Sequence, residues 1–158
     1  MNITDDKWSS RFLVKAKFWA ELCSKDPSSK VGCLIVAHDG SELSSGYNGM
    51  PRGVNDSAVE RMIRPEKYFW MQHAEENAIA QAARHGIKLE GAVAFVTHPP
   101  CSRCAGMMIN AGIARVFVGG ALHNMPAHET EVADLKFKEA GVVVTRDAGK
   151  LGKDVKCG

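Results

Sequence analysis

Apolar side chains at Phe12, Leu13, Ala16, Trp19, Ala20 and Cys23 recur at three- and four-residue intervals, the spacing that lines one face of a helix, and predict a helix over about Asp6–Ser24. Thr4 or Asp5 stands where an N-cap belongs, and Asp26-Pro27-Ser28-Ser29 supplies the turn that ends the helix. Val31–Ala37 is an unbroken apolar run between turn residues, which predicts a buried strand. His38-Asp39-Gly40 then reads as a hairpin turn into a second strand ending near Tyr47. From Asn48 to about Glu66 the pattern lapses into a long loop with Gly49, Pro51 and Gly53, and a loop of that length in a compact domain is usually functional. Helical spacing returns from Gln72 to His85, with Ala74, Ala78, Ile79, Ala82 and Ala83 on one side and Gly86 as the stop. Ala92–Thr97 predicts a third strand closed by Pro99-Pro100, and Ser102–Asn110 a short helix with Gly112 past its end. Arg115–Val118 predicts a fourth strand, about Glu129–Ala140 a helix and Val142–Thr145 a fifth strand, with a loose Gly/Lys-rich tail from Arg146 onward.

The predicted order, α-β-β-α-β-α-β-α-β, implies an α/β fold in three layers, α/β/α, around a five-stranded mixed sheet that is partly parallel after its opening hairpin. Ligands in such sheets bind beyond the carboxyl ends of strands, and the segment Thr97–Cys101 falls at one such end. Residues 1–158 are one domain's worth of chain, with no internal repeat or linker. Lys and Arg number 20 against 18 Asp and Glu, so the net charge of +2 gives no electrostatic case for a dedicated nucleic-acid or membrane binder. The apolar runs are strand-length, far short of the ~20 residues of a membrane span. Met1–Ser10 lacks the basic-then-apolar pattern of a secretory signal, so a cytoplasmic protein is expected.

The five cysteines do not form a disulfide framework: Cys23, Cys33 and Cys157 stand apart, and only Cys101 and Cys104 are close, as C-x-x-C. That pair is a metal site or a redox dithiol. His73-Ala74-Glu75 lies upstream of Pro100-Cys101-Ser102-Arg103-Cys104, and one imidazole with two thiolates is a donor set zinc prefers. Three protein ligands leave a fourth position for water, the arrangement of a catalytic site, whereas a structural zinc normally closes with four. Glu75 stands close enough to move protons between water and substrate without ligating, while Glu76 faces another side of the helix. H-x-E followed by P-C-x-x-C is the zinc deaminase signature. A thioredoxin-like dithiol and a purely structural zinc are the competing readings. Arg52 in the Asn48–Gly53 loop offers a planar charged fork for phosphate oxygens, with Lys25 and Lys30 as added point charges, against the plainer reading of a turn with a solvated arginine. Met107-Met108-Ile109 has the look of an exposed apolar helix face, or else of core. His98 is read as shaping a strand end, His38, His85, His123 and His128 as surface residues, and Cys23 and Cys33 as core.

Asp26-Pro27-Ser28-Ser29-Lys30-Val31-Gly32, Gly46-Tyr47-Asn48-Gly49-Met50-Pro51-Arg52-Gly53, Glu60-Arg61, Lys67-Tyr68, His73-Ala74-Glu75 with Asn77-Ala78-Ile79, and Thr97–Ala105 together resemble the deoxycytidylate (dCMP) deaminase family of the cytidine deaminase superfamily. The resemblance runs from about Asp26 to Val118. It implies the cytidine-deaminase-like fold and zinc-dependent hydrolysis of dCMP to dUMP with release of ammonia. It further implies zinc on His73, Cys101 and Cys104, Glu75 as proton shuttle and Asn48 in the substrate pocket, and the expected substrate-binding set is Asn48, Arg52, Ala74 and Pro100. A homo-oligomer, a hexamer or smaller, is implied as well, together with dCTP and dTTP as effectors and Mg2+ accompanying such a triphosphate. A tRNA adenosine deaminase, a deaminase of riboflavin synthesis and an inactive zinc-binding assembly module are the alternatives. The first should carry a clearer basic surface, the second usually separates its cysteines more widely, and the third has no need of Glu75.

Overall fold

The computed structural model describes residues 6–120 and 125–147. Helix α1 spans Asp6–Cys23, strands β1 and β2 Gly32–Val36 and Glu42–Tyr47, and a single 3-10 turn Val59–Met62. A short α2 follows at Lys67–Trp70, then α3 at Ala74–Arg84, β3 at Val93–Val96, α4 at Ser102–Asn110, β4 at Arg115–Gly119, α5 at Ala127–Glu139 and β5 at Val143–Asp147. The five strands form one mixed sheet in the order β2-β1-β3-β4-β5. β1 pairs antiparallel with both β2 and β3, while β3, β4 and β5 run parallel.

Strand residues alternate between the two faces, so the continuous apolar runs bury both sides at once. Leu34, Val36, Val93, Phe95 and Phe117 pack with Phe12, Leu13 and Ala16 of α1. Cys33, Ile35, Ala94, Val96, Val116 and Val118 pack on the other face with Ala74, Ala78, Ala105, Met108, Ala133 and Phe137 from α3, α4 and α5. Helices on both faces make the three layers. Phe95 stands at the centre of an aromatic row, 4.9 Å from Phe12 and 4.9 Å from Phe117 between ring centroids.

Four details differ from the sequence reading. Trp19 turns partly outward, 41% exposed, and meets Tyr47 edge-on, while Cys23 is half-buried. The long loop after β2 contains the 3-10 turn and α2, and a two-residue bridge between Gly49 and Gln72 closes it. β5 continues through Arg146 and Asp147, paired with Val118 and Gly119, so the chain stays ordered two residues past the expected start of a loose tail. Met108 is fully buried and Ile109 packs against the same core, because positions 104, 105 and 108 share the inward face of α4. Met108 and Ile109 therefore belong to the core, while Met107 is half-buried. Thr4, Asp5, His123, Cys157 and the tail beyond Asp147 lie outside the described residues.

Candidate active site

Two helix N-termini meet at the carboxyl end of β3. His73 is the N-cap of α3, and Glu76 closes a capping box by accepting the His73 backbone N–H at 2.9 Å. Cys101 is the N-cap of α4, and its Sγ accepts the Cys104 backbone N–H at 3.5 Å. These caps aim the imidazole and both sulfurs at one point. His73 Nδ1 lies 3.6 Å from Cys101 Sγ and 3.4 Å from Cys104 Sγ, and all three donor atoms fall within 4.8 Å of one another. A tetrahedron with Zn–S near 2.3 Å and Zn–N near 2.0–2.1 Å has N···S edges of about 3.6 Å, so the spacing fits that ion. His73 is exposed while Cys104 is buried, which opens the site on the imidazole side.

α3 can bring His73 this close because it rests almost directly on β2. A Cβ on Gly46 would stand 2.3 Å from the Ala74 carbonyl oxygen and 2.4 Å from the Ala78 nitrogen, so only glycine admits the helix there. Asn77 ties the same helix to the Tyr47 carbonyl at 2.8 Å. α5 holds the other half of the site. Glu129 Oε2 accepts the Ser102 backbone N–H at 3.0 Å, and Lys136 Nζ donates to the Ser102 carbonyl at 2.9 Å, gripping the first turn of α4 from both sides. Neither residue stands out in the sequence, since a lone Glu and Lys on a polar helix read as a solvated face.

The ionisation of the site follows from these contacts. A hydrogen bond from the Cys104 thiol, reinforced by His73, draws Cys101 down to about 4 despite its burial. The Cys104 thiol is pushed far up, first by that same bond, then by burial and the charge of Glu75. The Cys101 bond, against the effect of burial and with help from the Glu75 charge, raises His73 to about 9. A cation held by all three donors needs two thiolates and a neutral imidazole, so loading expels the protons that Cys104 and His73 retain. Glu75 is 3% exposed, and burial lifts its carboxyl to about 7, with His73 opposing and Cys101 assisting. A carboxyl balanced near neutrality can both take and give a proton.

The other residues named from the sequence surround this centre at different depths. Ala74 and Pro100 are buried beside the ligands. Arg52 is exposed and its Nη2 donates to Gln81 Oε1 on α3 at 2.7 Å. Asn48 is 7% exposed, and its amide is fully engaged within the protein. Its Oδ1 accepts from Val31 N–H at 2.8 Å and Ser24 Oγ at 3.0 Å, and its Nδ2 donates to Ser29 O at 2.9 Å and Asp26 Oδ2 at 3.1 Å. Lys25 pairs with Asp56 at 2.8 Å, and Lys30 donates to the Glu21 carbonyl at 2.9 Å, so both are committed away from the centre. The His98 Nδ1 meets Thr97 Oγ1 at 3.0 Å, and that hydroxyl also accepts the Gly32 N–H at 3.0 Å, placing His98 at the strand end.

The profile of the family described as the cytidine and deoxycytidylate deaminase zinc-binding region matches residues 6–120. An uncharacterised deaminase from the luxG 3' region of Aliivibrio fischeri is 40% identical over 142 residues, covering 88% of this chain and 92% of that protein. Mouse deoxycytidylate deaminase is 36% identical over 155 residues, covering 94% of this chain and 84% of its own. Among solved structures, the dCMP deaminase of cyanophage S-TIM5 in complex with dCMP and dUMP aligns with a TM-score of 0.74 at 25% identity, over 91% of this chain and 99% of that one. A tRNA:A34 deaminase aligns with a TM-score of 0.60 at 23% identity, a likeness of fold alone. With the His-Cys-Cys donor set, the buried glutamate and the sheet order all in place, the chain belongs to the cytidine and deoxycytidylate deaminase family.

Proposed function

We propose that this protein hydrolyses dCMP to dUMP and ammonia. One observation carries the reading: Glu75, 3% exposed, lies two residues past His73 at a His73–Cys101–Cys104 donor set of zinc dimensions. Relatives of the same length class that bear the deoxycytidylate deaminase name supply the substrate. His73, Cys101 and Cys104 would hold zinc, which when bound would acidify a water towards neutral pH. Glu75 is the group that would take one proton from the attacking water and pass it to N3 as oxygen adds to C4, then take the proton of the added hydroxyl and give it to the amine as the C4–N bond breaks, releasing ammonia. Ala74 and Pro100 bound the pocket at the two helix starts, where backbone N–H groups without intrahelical acceptors face the base. Arg52 exchanges its Gln81 partner for phosphate oxygens. Asn48, its amide occupied, acts by carrying the loop that bears Arg52.

Two further elements of the reading rest on the family resemblance. The protein works as a homo-oligomer, hexameric or smaller, consistent with Phe18 and Leu22 each standing 65% exposed on α1. dCTP and dTTP, with Mg2+, act as effectors. Among the described residues no helix is long and apolar enough to cross a membrane, which accords with a cytoplasmic enzyme. Ammonia release measured across dCMP, CMP, deoxycytidine, dCTP and 5-methyl-dCMP tests the substrate. Release from dCMP well above the nucleoside supports it, and turnover of deoxycytidine alone would overturn it.

A further inference from the structure

A lysine is buried a short distance before the metal ligands. Lys67, on α2, is 6% exposed and extends Nζ to Asp26 Oδ2 and to Ser28 Oγ, each at 2.7 Å. Asp26 is 2% exposed and also accepts from the Ser28 backbone N–H at 2.8 Å and from Asn48 Nδ2 at 3.1 Å. Burial alone would raise the Asp26 carboxyl, and the bonds from Lys67 and Ser28 outweigh it, so its carboxylate form is favoured. An ion pair this deep is costly to desolvate and is not by itself an argument for stability. Its geometry suggests another use.

The pair joins the three segments that frame the pocket. Through Asp26 it fixes the turn before β1 and, by way of Asn48, the base of the Asn48–Gly53 loop. Through the backbone of its own helix it reaches the ligand: the Lys67 carbonyl accepts Met71 N–H at 2.9 Å, and Gln72, next in the chain, exchanges two hydrogen bonds with Gly49 at 2.9 and 3.1 Å. His73 follows directly. We infer that the Lys67–Asp26 pair is a positioning device for substrate binding, setting where the Asn48–Gly53 loop stands relative to His73 and Glu75. This rests on the proposed dCMP reading for its kinetic test, though not for its structural one.

The test compares zinc-loaded full-length protein with Lys67→Met, Lys67→Arg and Asp26→Asn/Lys67→Met, reading zinc content, kcat, KM for dCMP and amide exchange. Lys67→Met is expected to keep one zinc per chain and kcat within about threefold, while KM rises about tenfold or more. Exchange at Gly49 and Gln72 should quicken by about tenfold while the Phe95 and Phe117 amides keep their rates. Lys67→Arg should recover most of KM. The double variant, with no charge left buried and unpaired, should recover stability but retain the raised KM, a split that a merely structural pair would not produce. Should Lys67→Met fail to fold, Ser28→Ala removes one partner from each member and should show the same split at about threefold. Unchanged KM and exchange would overturn the inference, as would a uniform loss of protection across the sheet with kcat and zinc falling together. If the wild type fails to turn over dCMP, the substrate proposal falls. The contrast in exchange at Gly49 and Gln72 then decides the positioning claim alone, quickening for it and constancy against it.

Discussion

Glu75 and Glu76 are neighbours in sequence and opposites in environment. Glu75 is sealed in beside the donor set with its carboxyl lifted to about 7, whereas Glu76 spends its carboxylate on the His73 backbone as part of a cap. Glu75→Ala should therefore keep zinc and fold while kcat for dCMP falls by at least the ~10²–10⁴ of a single acid–base step. Glu76→Ala should cost ~1 kcal/mol of stability, a cap's worth, with turnover largely preserved. Steady-state kinetics beside denaturant melts checks both, and a reversal of the two results would exchange their roles. Cys104 is the buried member of the donor set, so Cys104→Ala should lose most bound zinc by elemental analysis. Full retention would place the ligands elsewhere. These residues were legible in the sequence because coordination and proton transfer demand particular residue types at fixed helical offsets. The pairing of Lys67 with Asp26 was not. A lysine in a stretch of mixed charge looks solvated, and nothing local announces that Asp26, some forty positions earlier, folds back to meet it.

At the level of elements, the site depends on how closely α3 lies on β2. Gly46→Ala would drive a methyl into the Ala74 carbonyl and the Ala78 nitrogen, both backbone atoms of the helix turn that carries His73 and Glu75. Overpacking of this kind costs about 1–3 kcal/mol, and here a shift of the helix would carry His73 and Glu75 with it. The expected outcome is a lowered denaturation midpoint together with a clear drop in kcat. Retention of wild-type kcat would show that the helix shifts without disturbing the chemistry. Element identity was readable because apolar runs and helical spacing are long-range averages that tolerate local error. Boundaries were less so. β5 runs on into Arg146 and Asp147 because an edge strand can continue its backbone pairing through polar residues, which hydropathy reads as loop. α2 is a single turn, too short to display a period. For Met107-Met108-Ile109 the sequence left an exposed face and core both open, and α4 resolves Met108 and Ile109 to core.

For the molecule as a whole, the buried Lys67–Asp26 pair couples stability to pH. Bonds from Lys67 and Ser28 hold the folded Asp26 carboxyl below its ordinary value against the opposing effect of burial. Its stabilisation is therefore complete above the unfolded value near ~3.9 and is lost as pH falls through the folded one. Denaturant unfolding of wild type and Asp26→Asn should differ most near neutral pH and converge in strong acid, and a gap that stays constant with pH would mean the carboxylate is not the source. The sheet order β2-β1-β3-β4-β5 was not legible from pattern alone, because hydropathy says which strands are buried and not which are neighbours. It is this order that sets β3 and its Pro100-Cys101 end in the middle of the sheet, with α3 and α4 converging above. The central claim is that this centre serves a nucleotide. The most direct test is kcat/KM of the zinc-loaded protein for dCMP against deoxycytidine under one set of conditions. A preference for dCMP of roughly 10²-fold or more is predicted, because the proposed pairing of Arg52 with the phosphate has no counterpart in the nucleoside. Equal constants, or a preference for deoxycytidine, would contradict it.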